Sequence, residues 1–130
     1  MHKLALSALL VVSTAALAGD HYRPKVRVYS STVAGVTYSG GYGSFEGASN
    51  SPDDVQYITC TTQRYTWDGV VQHFGFCVAT DKDWNSASCY TEDPLMIDIM
   101  HSAGPQTELG FSAMDGTCIS VWAANGSQYL

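Results

Sequence analysis

Asp81, Asp83, Asn85 and Glu92 stand at the first, third, fifth and twelfth positions of DKDWNSASCYTE. That is the spacing at which a calcium loop of the EF-hand type places its oxygen ligands. Such a loop also needs glycine at its sixth position for a sharp turn, and Ser86 stands there. Its eighth position, usually aliphatic, is Ser88, and its ninth is Cys89. The segment before it, Phe74 to Thr80, reads as a strand, whereas an EF-hand loop follows a helix. The sequence therefore favours a polar turn, in which Asp and Asn serve backbone geometry. A looser calcium site on the same four residues is the alternative, and calcium is the one cofactor suggested.

Asp98 and His101 are the second pair with chemical reach. They lie three apart on a predicted helix and so share a face. A carboxylate that orients an imidazole is half of an acid–base dyad. No nucleophile accompanies them, because G-x-S-x-G is absent and the cysteines are expected to be oxidised. The expectation leans away from an enzyme and assigns no catalytic residue, with a small hydrolase on Asp98 and His101 as the weaker alternative. His73 paired with His101 as metal ligands is no better supported, and His21 stands alone near the mature N-terminus.

The aromatic residues suggest more. Eight Tyr and three Trp are many for a small acidic chain. Trp67 and Trp84 both fall in predicted loops, where a side chain can stack on a sugar ring or anchor a protein partner. The competing reading folds each one back over the sheet edge to fill a thin core.

The elements that position these residues follow from charge, cysteines and periodicity. Lys3 and the apolar run Leu4 to Leu17 resemble a secretory leader, and Ala16-Leu17-Ala18 offers a cleavage site after Ala18. Losing those 18 residues takes the chain from 130 to 112, the size of a single domain spanning 19–130. The formal net charge of −6 becomes one unit more negative with the loss of Lys3. That balance argues against nucleic acid and anionic membrane surfaces, both of which need clustered cations. No later apolar run is long enough for membrane insertion. The expected location is secreted or periplasmic.

Four cysteines, Cys60, Cys77, Cys89 and Cys118, in an exported chain read as two disulfides. A zinc site would want close C-x2-C pairs, and none occurs. If Asp68-Gly69 is a two-residue hairpin turn, Cys60 faces Cys77 at a position where side chains approach most closely. Register thus favours Cys60–Cys77 with Cys89–Cys118 over the rival Cys77–Cys89 with Cys60–Cys118.

Residues 19–50 are rich in Gly, Tyr and Ser, with interleaved valines that favour short strands over disorder. Ser51 to Asp54 reads as a turn. Val55 to Thr62 and Phe74 to Thr80 form one predicted hairpin. Glu108 to Ala113 and Cys118 to Ala123 form another, around Asp115-Gly116. Asp93 caps a predicted helix over about 94–103, with Pro94 at its first position and Leu95, Met96, Ile99, Met100 and Ala103 as its apolar stripe. The expected fold is α+β: a small, mostly antiparallel sheet of hairpins with this one helix packed on it and two disulfides.

The segments VQYITC, FCVATDKDWNSASCYTEDPLM and ELGFSAMDGTCISVWAANGSQYL carry a Q-Y-I-x-C start, a C-x-A-x-D…C-x-T-x-D-P centre and a G-x-C ending. Over residues 55 to 129 this pattern resembles a group of small exported bacterial proteins of unassigned activity. The resemblance implies an exported, cysteine-stabilised domain and brings no catalytic residue with it. The function expected from all of this is a non-enzymatic exported domain that binds a protein or glycan partner at or outside the cell envelope. A calcium-stabilised domain is the alternative.

Overall fold

Three dipeptides reverse this chain. Ala34-Gly35, Asp68-Gly69 and Asp115-Gly116 each place two successive residues at positive φ, between 49° and 83°. Two left-handed residues in a row make the turn whose twist matches that of paired strands. The computed structural model describes residues 25–126. The first turn joins β1 (Arg27–Val33) to β2 (Val36–Ser44), and the second joins β3 (Tyr57–Trp67) to β4 (Val70–Thr80). After β5 (Ser86–Thr91), the third joins β6 (Thr107–Met114) to β7 (Thr117–Asn125). Two short helices interrupt the strands, α1 (Phe45–Ser49) and α2 (Pro94–His101).

The seven strands form one mixed sheet in the order β1-β2-β6-β7-β5-β4-β3. Every neighbouring pair is antiparallel except β5 and β7, which meet in parallel through the single residue pair Tyr90 and Thr117. The sheet therefore consists of two antiparallel halves joined at a thin seam. The Tyr90 N–H donates to the Gly116 carbonyl at 2.9 Å, and the Cys89–Cys118 disulfide crosses the same seam with a Cα–Cα distance of 4.8 Å. Cys60–Cys77 is the second bridge, between residues directly opposed in the β3–β4 ladder. Cys77 in turn faces Cys89 across β4 and β5. The four cysteines thus form one row across β3, β4, β5 and β7, with Cys77, Cys89 and Cys118 buried.

A sheet of this width must twist, and here it curls until β1 and β2 lie over β4 and β5. Small residues at the facing positions allow it. A Cβ placed on Gly41 of β2 would come within 2.5 Å of the Ala79 Cβ on β4. Inside the curl, Leu109, Phe111 and Val121 pack with Val26, Ile58 and the cystines. At the entry to β3, the Asp53 carboxylate accepts the backbone N–H groups of Val55 and Gln56 at 3.0 and 2.9 Å, as well as the Gln56 side-chain amide. Those bonds, led by the Gln56 N–H, hold its pKa down to about 2. The Gln56 side-chain oxygen then accepts the Val26 N–H at 3.2 Å, tying the start of β1 to the start of β3.

The hairpins and both disulfides agree with the sequence reading, and four points differ. The sheet dominates more than one small sheet under one helix implies, and its single parallel pairing makes it mixed. A second helix, α1, is present, capped by the Ser44 Oγ, which accepts the Gly47 N–H at 2.8 Å. The second half of DKDWNSASCYTE is not loop but β5, with Ala87, Cys89 and Thr91 inward and Ser86, Ser88 and Tyr90 outward. Helix α2 ends at His101, and its buried residues are Ile97 and Met100, while Leu95 is 74 % exposed. The cause of that rotation is Gly75: its missing Cβ leaves room for the Met100 Sδ, and the helix settles onto that gap. The proposed leader, 1–18, lies outside the described residues, as do residues 19–24 and 127–130.

Two outcomes follow from the seam and the curl. Loop length alone makes Cys89–Cys118, with a separation of 29 against 17, worth only about 0.5 kcal/mol more than Cys60–Cys77. Because an eleven-pair ladder already holds β3 to β4, the double variant C89A/C118A should lose clearly more stability in urea than C60A/C77A. Equal losses would mean that the seam does not need its cross-link. Gly41→Ala should cost about 1–3 kcal/mol by overpacking. Adding Ala79→Gly should recover part of that loss in a double-mutant cycle, and a cycle without coupling would place β2 elsewhere.

Candidate functional site

The two faces of the curled sheet have different chemistry. On the β3–β4–β5 half, the inward positions carry the cystines, Ile58, Gly75 and the alanines. The outward positions carry Tyr57, Tyr65 and Trp67 from β3, Phe74, Phe76 and Val78 from β4, and Tyr90 from β5; the rest are Thr, Ser, Gln and Val. No outward strand position on this half bears a charge, in a chain whose net charge is −6. The aromatic rings are also continuous. Tyr65 meets Phe74 edge-on with centroids 6.4 Å apart, and Phe74 stacks on Tyr90 at 5.6 Å. Phe74 is half-buried beneath its neighbours, while Tyr65 and Tyr90 are 44 and 46 % exposed. The Tyr90 hydroxyl donates to the Glu92 carboxylate at 2.9 Å, and that bond raises the Tyr90 pKa.

The other half of the outer face uses its aromatics differently. A Cβ on Gly40 would strike the Tyr29 ring, and one on Gly110 would strike the Trp122 indole. Each side chain therefore reaches over a glycine in the neighbouring strand, covering backbone that has no side chain of its own. Both remain partly exposed, at 48 and 41 %, but among the described residues each packs on backbone and not on another aromatic ring.

Of the two tryptophans singled out from the sequence, Trp67 and Trp84 are both 75 % exposed. They do not share a site. Trp67 ends β3 on the uncharged outer face, whereas Trp84 sits in the turn beyond the far end of β4. Eleven strand residues separate the two ends, about 35 Å at 3.3 Å per residue. Trp67 thus extends the aromatic face to the hairpin tip.

The turn Asp81 to Asn85 is closed by its own carboxylate. The Asp81 Oδ1 accepts the N–H groups of Asp83 and Asn85 at 2.9 and 3.0 Å, and its Oδ2 accepts the Asn85 amide at 3.0 Å. The Asn85 side chain is the main cause of the lowered Asp81 pKa. Trp84 adopts φ 67° in this turn, a left-handed conformation uncommon for a bulky residue. Glu92 lies past the other end of β5, roughly 20 Å along the strand from Asn85. The structure does not bring it to the Asp81 turn. Among the described residues, no three His, Cys, Asp or Glu side chains converge as a metal-holding group.

Asp98 and His101 line an open recess of about 370 Å³ on the inner side of the sheet, where α2 approaches β3 and β4. The His101 Nδ1 lies 3.4 Å from the Thr62 hydroxyl. Asp98 and His101 share the recess, but among the described residues no hydrogen bond joins them. Arg64 and His73, directly opposed across β3 and β4, line it as well, with Gln63 and Ile97. Sequence reasoning did not gather these four, because the register that pairs Arg64 with His73 had to be combined with where α2 docks.

No protein-family model, curated protein or solved structure matches this chain. Two disulfides fit an oxidising compartment. No helix among the described residues is long and apolar enough to cross a membrane. Since the Asp81 carboxylate is occupied by its own turn, melting in excess EDTA and in millimolar calcium should give the same midpoint. A higher midpoint in calcium would assign a ligand role to this turn.

Proposed function

We propose that this protein is an exported, non-enzymatic binding domain that holds an uncharged carbohydrate polymer against the outer face of β3, β4 and β5. The observation that carries this reading is the continuous row Tyr65, Phe74 and Tyr90 on a face whose strand positions bear no charged side chain, the nearest carboxylate being Glu92 at its edge. Aromatic faces are electron-rich and attract the polarised C–H bonds on one side of a sugar ring. The surrounding Thr, Ser and Gln side chains supply donors and acceptors for hydroxyl groups at little desolvation cost. Neutrality matters as much as apolarity, since an anionic polymer would gain nothing here and would be repelled by the acidic remainder of the chain. The pleat keeps the rings aligned, so little side-chain entropy is lost on binding.

The hydrolase reading of Asp98 and His101 has less support, because the imidazole's contact is with Thr62 and no carboxylate orients it. The resemblance to exported bacterial proteins agrees with an extracytoplasmic role and adds no chemistry.

Co-sedimentation with insoluble cellulose, chitin and curdlan tests the proposal. The oxidised protein should be retained by at least one of these polymers. Tyr65→Ala and Tyr90→Ala should each weaken retention about tenfold, as expected for exposed aromatic anchors, while the protein stays folded with a melting midpoint only a few degrees lower from the lost contact with Phe74. Trp84→Ala should leave retention unchanged. No retention on any neutral polymer, or retention indifferent to Tyr65 and Tyr90, would overturn it.

A further inference from the structure

The recess beneath α2 is a second, chemically different place on the opposite side of β3 and β4, and it stands independently of the aromatic face. Arg64 carries five N–H donors and no acceptor, and His73 has at least one N–H in either tautomer. Register sets these two side chains directly across from each other on the inner side of the sheet. Among the described residues, the Arg64 guanidinium takes part in no hydrogen bond or ion pair; the Lys82–Asp83 ion pair lies in the distant Asp81 turn. The sheet side of the recess is therefore a donor wall, in a chain with six Lys and Arg against twelve Asp and Glu.

The helix side has the opposite character. Asp98 presents a carboxylate to the same space, and it stands within the last turn of α2, where backbone carbonyls add negative potential. The Thr62 hydroxyl, in contact with the His101 Nδ1, lies between the two walls. A simple anion would satisfy Arg64 but would face Asp98. A simple sugar would satisfy Asp98 but would leave the guanidinium without a partner. A ligand that has a carboxylate at one end and hydroxyl groups at the other meets both walls. The volume of about 370 Å³ accommodates one ring of that kind.

We infer that the recess between Arg64, His73, Asp98 and His101 binds a hydroxylated carboxylate, such as a single uronic-acid unit. Its carboxylate lies against the Arg64 guanidinium and His73, and its ring hydroxyls donate to Asp98.

Titrating ¹⁵N-labelled oxidised protein with D-galacturonate, D-galactose and acetate, followed by NMR, tests this assignment. Galacturonate should shift the Arg64 side-chain N–H and the amides of Thr62, His73 and His101, while galactose should leave them in place. Arg64→Gln should weaken galacturonate binding about tenfold or more, the loss expected of a charge-assisted contact. Asp98→Asn should weaken galacturonate while acetate binding holds or strengthens, since a facing negative charge is removed; that opposite response distinguishes hydroxyl recognition from loss of fold. Absence of shifts at the recess would overturn the inference. So would equal shifts from galactose, or acetate binding as tight as galacturonate.

Discussion

Strands β5 and β7 share one residue pair, and the two halves of the sheet depend on that seam staying closed. Elsewhere the ladders are long: eleven residue pairs hold β3 to β4, and seven hold β1 to β2. Where backbone pairing is thinnest, the chain places a covalent bond, Cys89–Cys118. A cross-link acts mainly by restricting the unfolded chain, and it is most useful where few other contacts would re-form the same approach. The second disulfide lies beside it in the same row, so sulfur supplies a large part of a core that a chain of this size could hardly fill with side chains alone.

The curl follows from the same economy of bulk. Glycine and alanine at the facing positions of β2 and β4 let two sheet layers approach closely enough to exclude water. Apart from Phe111 and the partly buried Phe45, the aromatic residues are left on the outside. On the β1–β2–β6–β7 half, Tyr29 and Trp122 lie over glycines and cover backbone. On the β3–β4–β5 half the aromatics stack on one another as a continuous row, and that continuity, not greater exposure, makes that face the candidate surface. The Tyr-Gly alternation of residues 38–43, Tyr38 and Tyr42 outward with Gly41 and Gly43 inward, is thus the code of a closely packed strand and not of a low-complexity tail.

Much of this could be read locally. Asp68-Gly69 and Asp115-Gly116 announce tight hairpins, and counting residues from the first turn brings Cys60 to Cys77. Asp93 and Pro94 announce the start of α2, and the Asp81 carboxylate closes a turn as its Asx chemistry suggests. Strand β5 leaves little trace in the sequence because Ser86, Ala87 and Ser88 are small and carry little hydrophobic contrast, so the alternation shows only in burial. Helix α1 is five residues long, too short for a periodic signal. Periodicity puts Leu95 on the apolar stripe, because it cannot say which residue beneath the helix lacks a side chain.

From its order of residues alone, the chain determined where it turns, which cysteines could meet across a hairpin and where its capped helix begins, because those choices rest on bonds between near neighbours. Only the tertiary structure decided that β5 joins β7 in parallel, that the sheet curls over itself, and that Arg64, His73, Asp98 and His101 share a recess. Each of these depends on contacts between segments far apart in the chain, where the closeness of two backbones is set by what both sides lack as much as by what either carries.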